Sequence, residues 1–321
     1  MAPALQTRLL QADEAGIAEA ADLLRRGALV SFPTETVYGL GGDAGNDLAV
    51  AGIYEAKGRP RFNPLIAHVP DLAGVERIAV LTDEARTLAE AFWPGPLTLV
   101  LEARPEAGMS ALVSAGLSTV AVRVPAHPVA QRLLRAVDRP IVAPSANPSG
   151  RISPTTAAHV MAGLSGRIAA VLDGGPCGVG VESTIVGFAP RPTVPRPVVL
   201  RPGGLSVEDI EAALGAPLAT RDEGARITAP GQLASHYAPD APVRLGAETA
   251  RPGERLLGFG DVEADWNLSP RGDLVEAAAN LFRMMHEMDR DGTAPIAVSP
   301  IPDEGLGRAI NDRLRRAAAP R

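Results

Sequence analysis

The chain contains one lysine, Lys57, and two arginines follow it within four residues. The surrounding segment, YEAKGRPRFNPLIAHV, lies between a helical pattern and an apolar strand. Two prolines, Pro60 and Pro64, restrict its backbone. The three cations, Lys57, Arg59 and Arg61, are therefore presented at fixed points, as the neutralisation of a polyphosphate requires. A solvated basic loop is the competing interpretation, and the net charge of −6 for the whole chain weakens it.

Two further segments place polar or charged groups at predicted strands. SFPTETVYGLG carries Thr34, Glu35 and Thr36 directly after a strand, where they could hold a small polar molecule. An ordinary turn explains this segment equally well. VAVRVP places Arg123 within an apolar strand, and an arginine there needs an anion or a carbonyl as partner. That partner is either a structural carboxylate or the carboxylate of a ligand.

A loop rich in Pro and Gly, APSANPSGRISPTTA, gathers several small polar residues: Ser145, Asn147, Ser149 and Ser153. The pattern predicts that a helix begins near Pro154, directly after this loop. Small polar residues at a helix N-terminus form a suitable phosphate seat, although the same composition is typical of a plain loop.

The familiar catalytic motifs are absent from the sequence. It has no GxxxxGK[ST] loop and no GxSxG elbow, and its five histidines lack zinc-ligand spacing. Cys177 is the only cysteine, so no disulfide forms within the chain and we expect a buried, inert thiol. Without a signal-peptide pattern or a long apolar run, the expected location is cytoplasmic. The acidic balance and an aromatic content of only 3% disfavour a general nucleic-acid or membrane-surface binder.

The elements that must position these residues alternate irregularly between strand and helix. NDLAVAGIYEAKG predicts a helix that is capped by Asn46 and ends at Gly58, whereas GLGGDAG predicts a turn. Strands follow one another directly at 97–124 and 182–200, which favours an α/β fold with a twisted, mixed sheet. Residues 216–241 have little periodicity and predict a linker. Beyond them, the pattern predicts a smaller, Rossmann-like α/β domain with a parallel sheet over 242–321.

Seven segments, in order, resemble the motifs of the threonylcarbamoyl-AMP synthases: SFPTETVYGLG, KGRPRFNPLIAHV, WPGPLTLVL, VAVRVPAHP, APSANPSG, GVESTIV and LRPGG. APGQLASHYAPDAPVRL and the tail resemble the linker and the C-terminal domain of the long, two-domain form. The resemblance implies a catalytic domain over 1–215, a linker that acts as a lid over 216–241, and a small domain over 242–321.

The resemblance also implies an activity and a set of site residues. Enzymes of this family make L-threonylcarbamoyl-AMP from L-threonine, bicarbonate and ATP, releasing pyrophosphate, for the modification of tRNA adenosine 37. Residue by residue, it implies ATP contacts at Lys57, Arg59, Asn63, Thr119, Ser145, Asn147, Ser153, Arg201 and Tyr237, with Lys57 and Arg59 as the catalytic cations. It implies threonine contacts at Thr34, Thr36, His68, Arg123 and Ser183. A basic residue usually precedes the HY pair in the family, and Ser235 stands there instead.

The resemblance implies that Mg²⁺ arrives on the ATP phosphates and that no protein metal site is needed. The downstream tRNA threonylcarbamoyltransferase complex is the expected protein partner, with weak or no direct RNA binding and no membrane contact. Two alternatives remain at this stage. One is a double-stranded RNA or tRNA-binding module without catalysis, and the other is a carbamoyltransferase-type maturation factor.

Overall fold

The computed structural model describes residues 5–188, 197–220, 229–231, 235–290 and 294–320. Within these ranges the larger sheet is formed by β1 (Arg8–Gln11), β2 (Val30–Phe32), β3 (Gly39–Asp43), β4 (Ile66–His68), β5 (Ala79–Val80), β6 (Leu97–Ala103), β7 (Thr119–Arg123), β8 (Ile141–Val142), β9 (Ala170–Asp173), β10 (Thr184–Gly187), β11 (Val198–Arg201) and β12 (Ala219–Thr220). The helices around it are α1 (Glu14–Arg25), α2 (Asp47–Lys57), α3 (Leu72–Ile78), α4 (Asp83–Phe92), α5 (Ala111–Ser114), α6 (Pro128–Val137), α7 (Ala157–Leu164) and α8 (Val207–Leu214).

The larger sheet is mixed, as the sequence predicts. Its strand order is β1-β9-β2-β3-β8-β4-β7-β6-β10-β11-β12, with β5 paired to β6. Parallel pairs such as β4 with β7 lie beside antiparallel pairs such as β6 with β7. The register of β4 and β7 sets His68 opposite Arg123, so the sheet itself brings these two residues together.

Helix α2 shows how local chemistry sets the ends of an element. The Asn46 side chain accepts hydrogen bonds from the backbone N–H groups of Leu48 and Ala49. Gly58 ends the helix in the left-handed region at φ 63°, a conformation that costs glycine little. Both predicted ends are therefore confirmed. The last helical residue is Lys57, whose ammonium bonds to the loop backbone at Ser145 and Asn147.

One local prediction is wrong, and one predicted helix begins later than expected. GLGGDAG is not a turn, because Gly39–Asp43 form the central strand β3. A Cβ at Gly41 would lie 2.9 Å from both the Phe32 ring and the Val30 carbonyl oxygen, so this strand needs glycine for close packing. The helix expected near Pro154 begins at Ala157 and is capped by the Thr156 hydroxyl. The loop that carries Ser145 and Ser153 is therefore longer than predicted, and Ser153 does not lie at the first turn of the helix.

The smaller sheet follows in the C-terminal part of the chain. Its strands are β13 (Val243–Arg244), β14 (Arg255–Gly258), β15 (Trp266–Asn267) and β16 (Ile296–Val298), and its helices are α9 (Leu274–Arg290) and α10 (Gly307–Ala318). The strand order is β13-β16-β14-β15, and all three pairings are parallel. The predicted small parallel α/β domain is confirmed.

The two parts of the chain share one apolar cluster. Val37, Ile152 and Val181 of the larger part pack with Phe282 and other residues of the smaller part. Gly180, at φ 78°, lies against α9, where a Cβ would come within 2.3 Å of the Ala278 carbonyl oxygen. At this point of the interface, the backbone of one part therefore packs directly against the backbone of the other.

The predicted linker, 216–241, is described in part. Its residues 219–220 form β12, which pairs in parallel with β11 and extends the larger sheet. Residues 221–228 and 232–234 of the linker lie outside the described residues. None of the helices in the described ranges is long and apolar enough to cross a membrane.

Candidate active site

A cavity lies where the larger sheet, two of its loops and the linker meet. Eight of the residues that the sequence singles out line it: Thr36, Arg59, His68, Arg123, Ser145, Ser183, Arg201 and Tyr237. Its volume is about 50 Å³, well below the roughly 300–1,000 Å³ that is usual for small-molecule sites. The described linker residues 229–231 and 235–239, here called the strap, take up part of the space, since Gly231, His236 and Tyr237 also line the cavity.

The cations of KGRPR divide between the interior and the surface. Lys57 is 3% exposed, and its ammonium donates hydrogen bonds of 2.5 Å to the carbonyl oxygens of Ser145 and Asn147. Arg59 is buried as well, and it donates to the carbonyl oxygens of Asn63 and Pro64. Arg61, by contrast, is exposed. Two cations are thus fixed by backbone carbonyls at the cavity, and the third faces outward.

Burial destabilises the charged forms of both Lys57 and Arg59. It lowers the pKa of Lys57 well below its ordinary value, and the nearby Arg59 charge lowers it further. Burial likewise lowers the pKa of Arg59 to about 10. An arriving polyanion would reverse both effects, because an opposite charge favours the charged form of each group.

Two asparagines of the predicted ATP set have unused polar atoms. Asn63 is 1% exposed, and neither its side-chain oxygen nor its nitrogen has a hydrogen-bond partner among the described residues. Asn147 donates from Nδ2 to the carbonyl oxygens of Pro148 and Arg151, whereas its Oδ1 has no described partner. Buried polar groups are normally satisfied, so these atoms are suited to meet a ligand.

The Thr34–Thr36 segment is tied to Arg123. Thr36 Oγ1 accepts a hydrogen bond of 2.9 Å from Arg123 Nη1 and lies 2.8 Å from Thr34 Oγ1. Thr36 lines the cavity, whereas the Thr34 hydroxyl lies behind it and donates to the Val37 carbonyl oxygen. Arg123 also forms an ion pair of 2.6 Å with Glu35, so one of the two partners that the sequence allowed is present.

His68 and Ser183 complete the side of the cavity near Arg123. Burial lowers the pKa of His68 to about 3, and the Arg123 charge adds to the effect, so the imidazole is neutral at ordinary pH. The Ser183 hydroxyl lies 2.7 Å from Thr98 Oγ1 and accepts from Arg201 Nη2 at 3.2 Å. This side of the cavity thus presents a paired guanidinium, hydroxyl groups and a neutral ring, which suits a small zwitterion.

The strap is held on the cavity by specific contacts. Its Ala238 N–H donates to the Gly150 carbonyl oxygen at 2.8 Å, and its His236 N–H donates to that of Arg316 in α10 at 3.2 Å. Tyr237 adopts the left-handed region at φ 62° and is 2% exposed. Its ring stacks on Phe282 with centroids 5.6 Å apart. Because residues of this strap line a cavity of only about 50 Å³, a ligand as large as a nucleotide can enter only if part of the lining moves.

Ser153 and two residues that the sequence analysis missed, Glu182 and Arg313, form a buried group, and Glu182 itself lines the cavity. The Ser153 hydroxyl donates to Glu182 Oε1, and Glu182 Oε2 accepts from Arg313 Nε at 2.7 Å. Burial alone would raise the pKa of Glu182, but Arg313 and Arg201 outweigh it and lower this pKa to about 2. Glu182 directly precedes the predicted Ser183, which was the one available signal in the sequence. Arg313 lies among other arginines of α10, and nothing distinguishes it there.

Six predicted residues do not line the cavity: Thr34, Lys57, Asn63, Thr119, Asn147 and Ser153. Thr119 is the first residue of β7, and strand alternation sets it on the same face as Arg123, at the far end of the strand. Asn147 lines a neighbouring cleft of about 430 Å³ between the two parts of the chain. Cys177 is buried, and burial raises its pKa to about 12, as expected for an inert thiol. The predicted roles of all these residues remain predictions.

Two kinds of polar group lie close together in this cavity. Arg59 and Arg201 would suit a polyanion, and Arg123 with the Thr36 hydroxyl would suit a small polar molecule. In the described part of the chain, no group of three His, Cys, Asp or Glu residues could hold a metal ion. Such a site favours reactions that depend on positioning and charge neutralisation, as in nucleotidyl transfer.

Comparison with known proteins gives a consistent result. Residues 22–203 match the Sua5/YciO/YrdC family, described as "Telomere recombination", and residues 205–319 match "Threonylcarbamoyl-AMP synthase, C-terminal domain". The threonylcarbamoyl-AMP synthase of Bacillus subtilis is 43% identical over 97% of this chain and 95% of its own. That of Pyrococcus abyssi is 42% identical over 93% of both chains.

A solved structure agrees over the whole length. The crystal structure of P. abyssi Sua5 complexed with L-threonine superposes with a TM-score of 0.87, at 39% identity, over 97% of each chain. The α/β fold and the cation-lined cavity define the class of protein. The chain belongs to the threonylcarbamoyl-AMP synthase family, in its long, two-domain form.

Proposed function

We propose that this protein synthesises L-threonylcarbamoyl-AMP from L-threonine, bicarbonate and ATP and releases pyrophosphate. One observation supports the proposal above the others. A single buried cavity joins Arg59 and Arg201, which suit phosphates, to Arg123 and Thr36, which suit an amino acid. The relatives named for this activity match nearly the whole chain.

The reaction needs no covalent nucleophile on the protein. The neutral amine of threonine adds to CO2 and loses a proton, or condenses with bicarbonate and releases water, and in either case becomes an N-carboxylate. An oxygen of that carboxylate attacks the α-phosphorus of ATP in line, and the bond from this phosphorus to the bridging oxygen of pyrophosphate breaks. The protein must hold both reactants in line and neutralise the departing phosphates.

The geometry suggests how the residues divide this work. Lys57 and Arg59 neutralise phosphate charge, and the side-chain amide of Asn63 together with Oδ1 of Asn147 supplies further polar contacts to ATP. Arg123 binds the threonine carboxylate, because two of its N–H groups remain after its bonds to Gly95, Thr36 and Glu35. Tyr237 covers the nucleotide.

Mg²⁺ would arrive on the nucleotide. The groups nearest the proposed phosphate positions are cations and amides, and the carboxylates of Glu35 and Glu182 are each paired with an arginine. Phosphate oxygens and water therefore supply its ligands. The product would serve the threonylcarbamoyl modification of tRNA adenosine 37, with the downstream transferase complex as partner. A cytoplasmic location remains a prediction, motivated by the single cysteine.

Pyrophosphate release tests the proposal directly. The full chain is assayed with threonine, bicarbonate and ATP, and then with each one omitted. We expect release only with all three present, together with a product that contains threonine and AMP. Equal release without threonine would contradict the proposed function. Strong, salt-dependent RNA binding without any pyrophosphate release would favour an RNA-binding module instead.

A further inference from the structure

Helix α10 of the C-terminal domain sends one side chain into the wall of the active site. Arg313 is 0% exposed and belongs to the last helix of the smaller domain. Its Nε donates to Glu182 at 2.7 Å, and its Nη1 donates to the Pro202 carbonyl oxygen at 2.9 Å. Both acceptors belong to the catalytic domain. The residues next to them, Ser183 and Arg201, line the cavity.

The same guanidinium supports the strap. Its central carbon lies 5.1 Å from the centre of the Tyr237 ring, within the range of a cation–π contact. The preceding residue, Asp312, accepts from Arg313 Nη1 and, through its other oxygen, from Arg316. The carbonyl oxygen of Arg316 in turn holds the His236 N–H of the strap. One turn of α10 therefore contacts the strap twice.

Glu182 connects Arg313 to the proposed nucleotide side of the cavity. Its second oxygen accepts from the Ser153 hydroxyl. Ser153 and Tyr237 are both predicted ATP contacts, and Arg313 is the group that links them. By contrast, the proposed threonine groups Thr36, His68 and Arg123 have no contact with Arg313 within the described ranges, and their hydrogen bonds come from the sheet and from Glu35. Ser183, also a proposed threonine contact, directly follows Glu182, but its hydroxyl bonds with Thr98 and Arg201.

We propose that Arg313 is a positioning residue of the active site, which orients Glu182 and Tyr237 and thereby the nucleotide-binding side of the cavity. The C-terminal domain is then a structural part of the active site and not only an attached module. This inference rests on the proposed function, because it assigns the affected side of the cavity to ATP.

The test compares Arg313→Met with Arg308→Met in the full chain. Arg308 is a matched control because it lies on the same helix and also pairs across the domains, with Glu208 at 3.0 Å, but its side chain is 41% exposed and does not line the cavity. Initial rates of pyrophosphate release give separate KM values for ATP and for threonine. Arg313→Lys, which retains the charge but not the fork, measures how much of the function depends on geometry.

We expect Arg313→Met to raise the ATP KM at least tenfold, with the threonine KM within twofold of wild type. The ATP KM of Arg313→Lys should lie between those of wild type and Arg313→Met, and both KM values of Arg308→Met should match wild type. General destabilisation would only lower the active fraction, which reduces kcat and leaves both KM values unchanged. If Arg313→Met does not fold, Glu182→Gln tests the same link and should give the same split between the two KM values.

Three results would overturn the inference: an unchanged ATP KM in a folded variant, equal changes in both KM values, or a fall in the ATP KM. The last would mean that Arg313 only keeps the strap closed. Wild-type release that does not require threonine would instead contradict the proposed function. A threonine-dependent wild type with an unchanged ATP KM in Arg313→Met would contradict this inference alone.

Discussion

Lowering the pH from 7.5 to 5.0 should weaken the contact between the two domains at a pair of stacked histidines. His159 of α7 and His286 of α9 have ring centroids 3.9 Å apart and an interplanar angle of 23°. His286 Nε2 donates to the Ser153 carbonyl oxygen, and His159 Nδ1 accepts from the Thr155 N–H. Neither nitrogen has an acidic partner, so a proton on one ring is opposed by the other ring.

The size of the effect follows from the pKa of His159. Burial lowers it to about 3, and the charges of His286 and Arg283 act in the same direction. Asp289 acts oppositely on His286, whose pKa is nevertheless lowered, chiefly by burial. In the unfolded chain the pKa of a histidine is about 6.5, so the unfolded state binds more protons between pH 6.5 and about 3. The contribution of neutral His159 to the free energy of unfolding is therefore complete above pH 6.5, and it is lost as the pH falls from 6.5 toward 3.

At pH 5.0 the full linkage would amount to about 2 kcal/mol for His159, at 1.36 kcal/mol per pH unit. Because the ring is partly exposed, we discount this value for solvent screening to about 1 kcal/mol. The assay is urea-induced unfolding of wild type and His159→Asn at both pH values. Asparagine retains an acceptor near the position of Nδ1 but does not titrate. The variant should lose about 1 kcal/mol less than wild type between the two pH values. If wild type and His159→Asn lose the same free energy of unfolding between pH 7.5 and 5.0, to within about 0.3 kcal/mol, the reasoning is refuted.

The remaining predictions concern the two sides of the cavity. Lys57→Ala should lose most of its kcat, and the kcat of Lys57→Arg should fall at least tenfold. The planar guanidinium of arginine cannot replace an ammonium held between two carbonyl oxygens. Since the pKa of Lys57 is lowered and only its charged form neutralises phosphate, the wild-type ATP KM should rise with pH before ordinary lysines titrate. Pyrophosphate release measured across pH checks both statements, and a wild-type rate in Lys57→Arg would mean that the single lysine is accidental. Arg123→Ala should raise the threonine KM at least tenfold and the ATP KM much less, whereas a change confined to ATP would assign Arg123 to phosphate binding.

The sequence predicts elements well where their signals are local. Helix α2 follows from Asn46 and Gly58 because a cap acts within a few residues of the helix end. Strand β3 was missed because its glycines are typical of a turn, and their real cause is the approach of Phe32 from a neighbouring strand. That cause is visible only after the sheet has formed.

The candidate site shows the same distinction. Ordered motifs brought eight residues to one cavity, since each motif carries its own polar group to the end of a strand or into a loop. The ion pair of Glu182 with Arg313 joins residues 131 positions apart. No spacing rule connects a carboxylate in one domain with an arginine on the last helix of another. Such partners emerge only from tertiary packing.

The close approach at Gly180 limits how this chain could recombine with others. A side chain at this position would collide with the Ala278 carbonyl oxygen and the Ala279 backbone of α9. A chimaera that joins this catalytic domain to a foreign C-terminal domain would therefore have to match a backbone contour as well as a set of side chains. Exchange of the two domains as independent modules is disfavoured, and substitutions on either side of this contact must be compatible with the other.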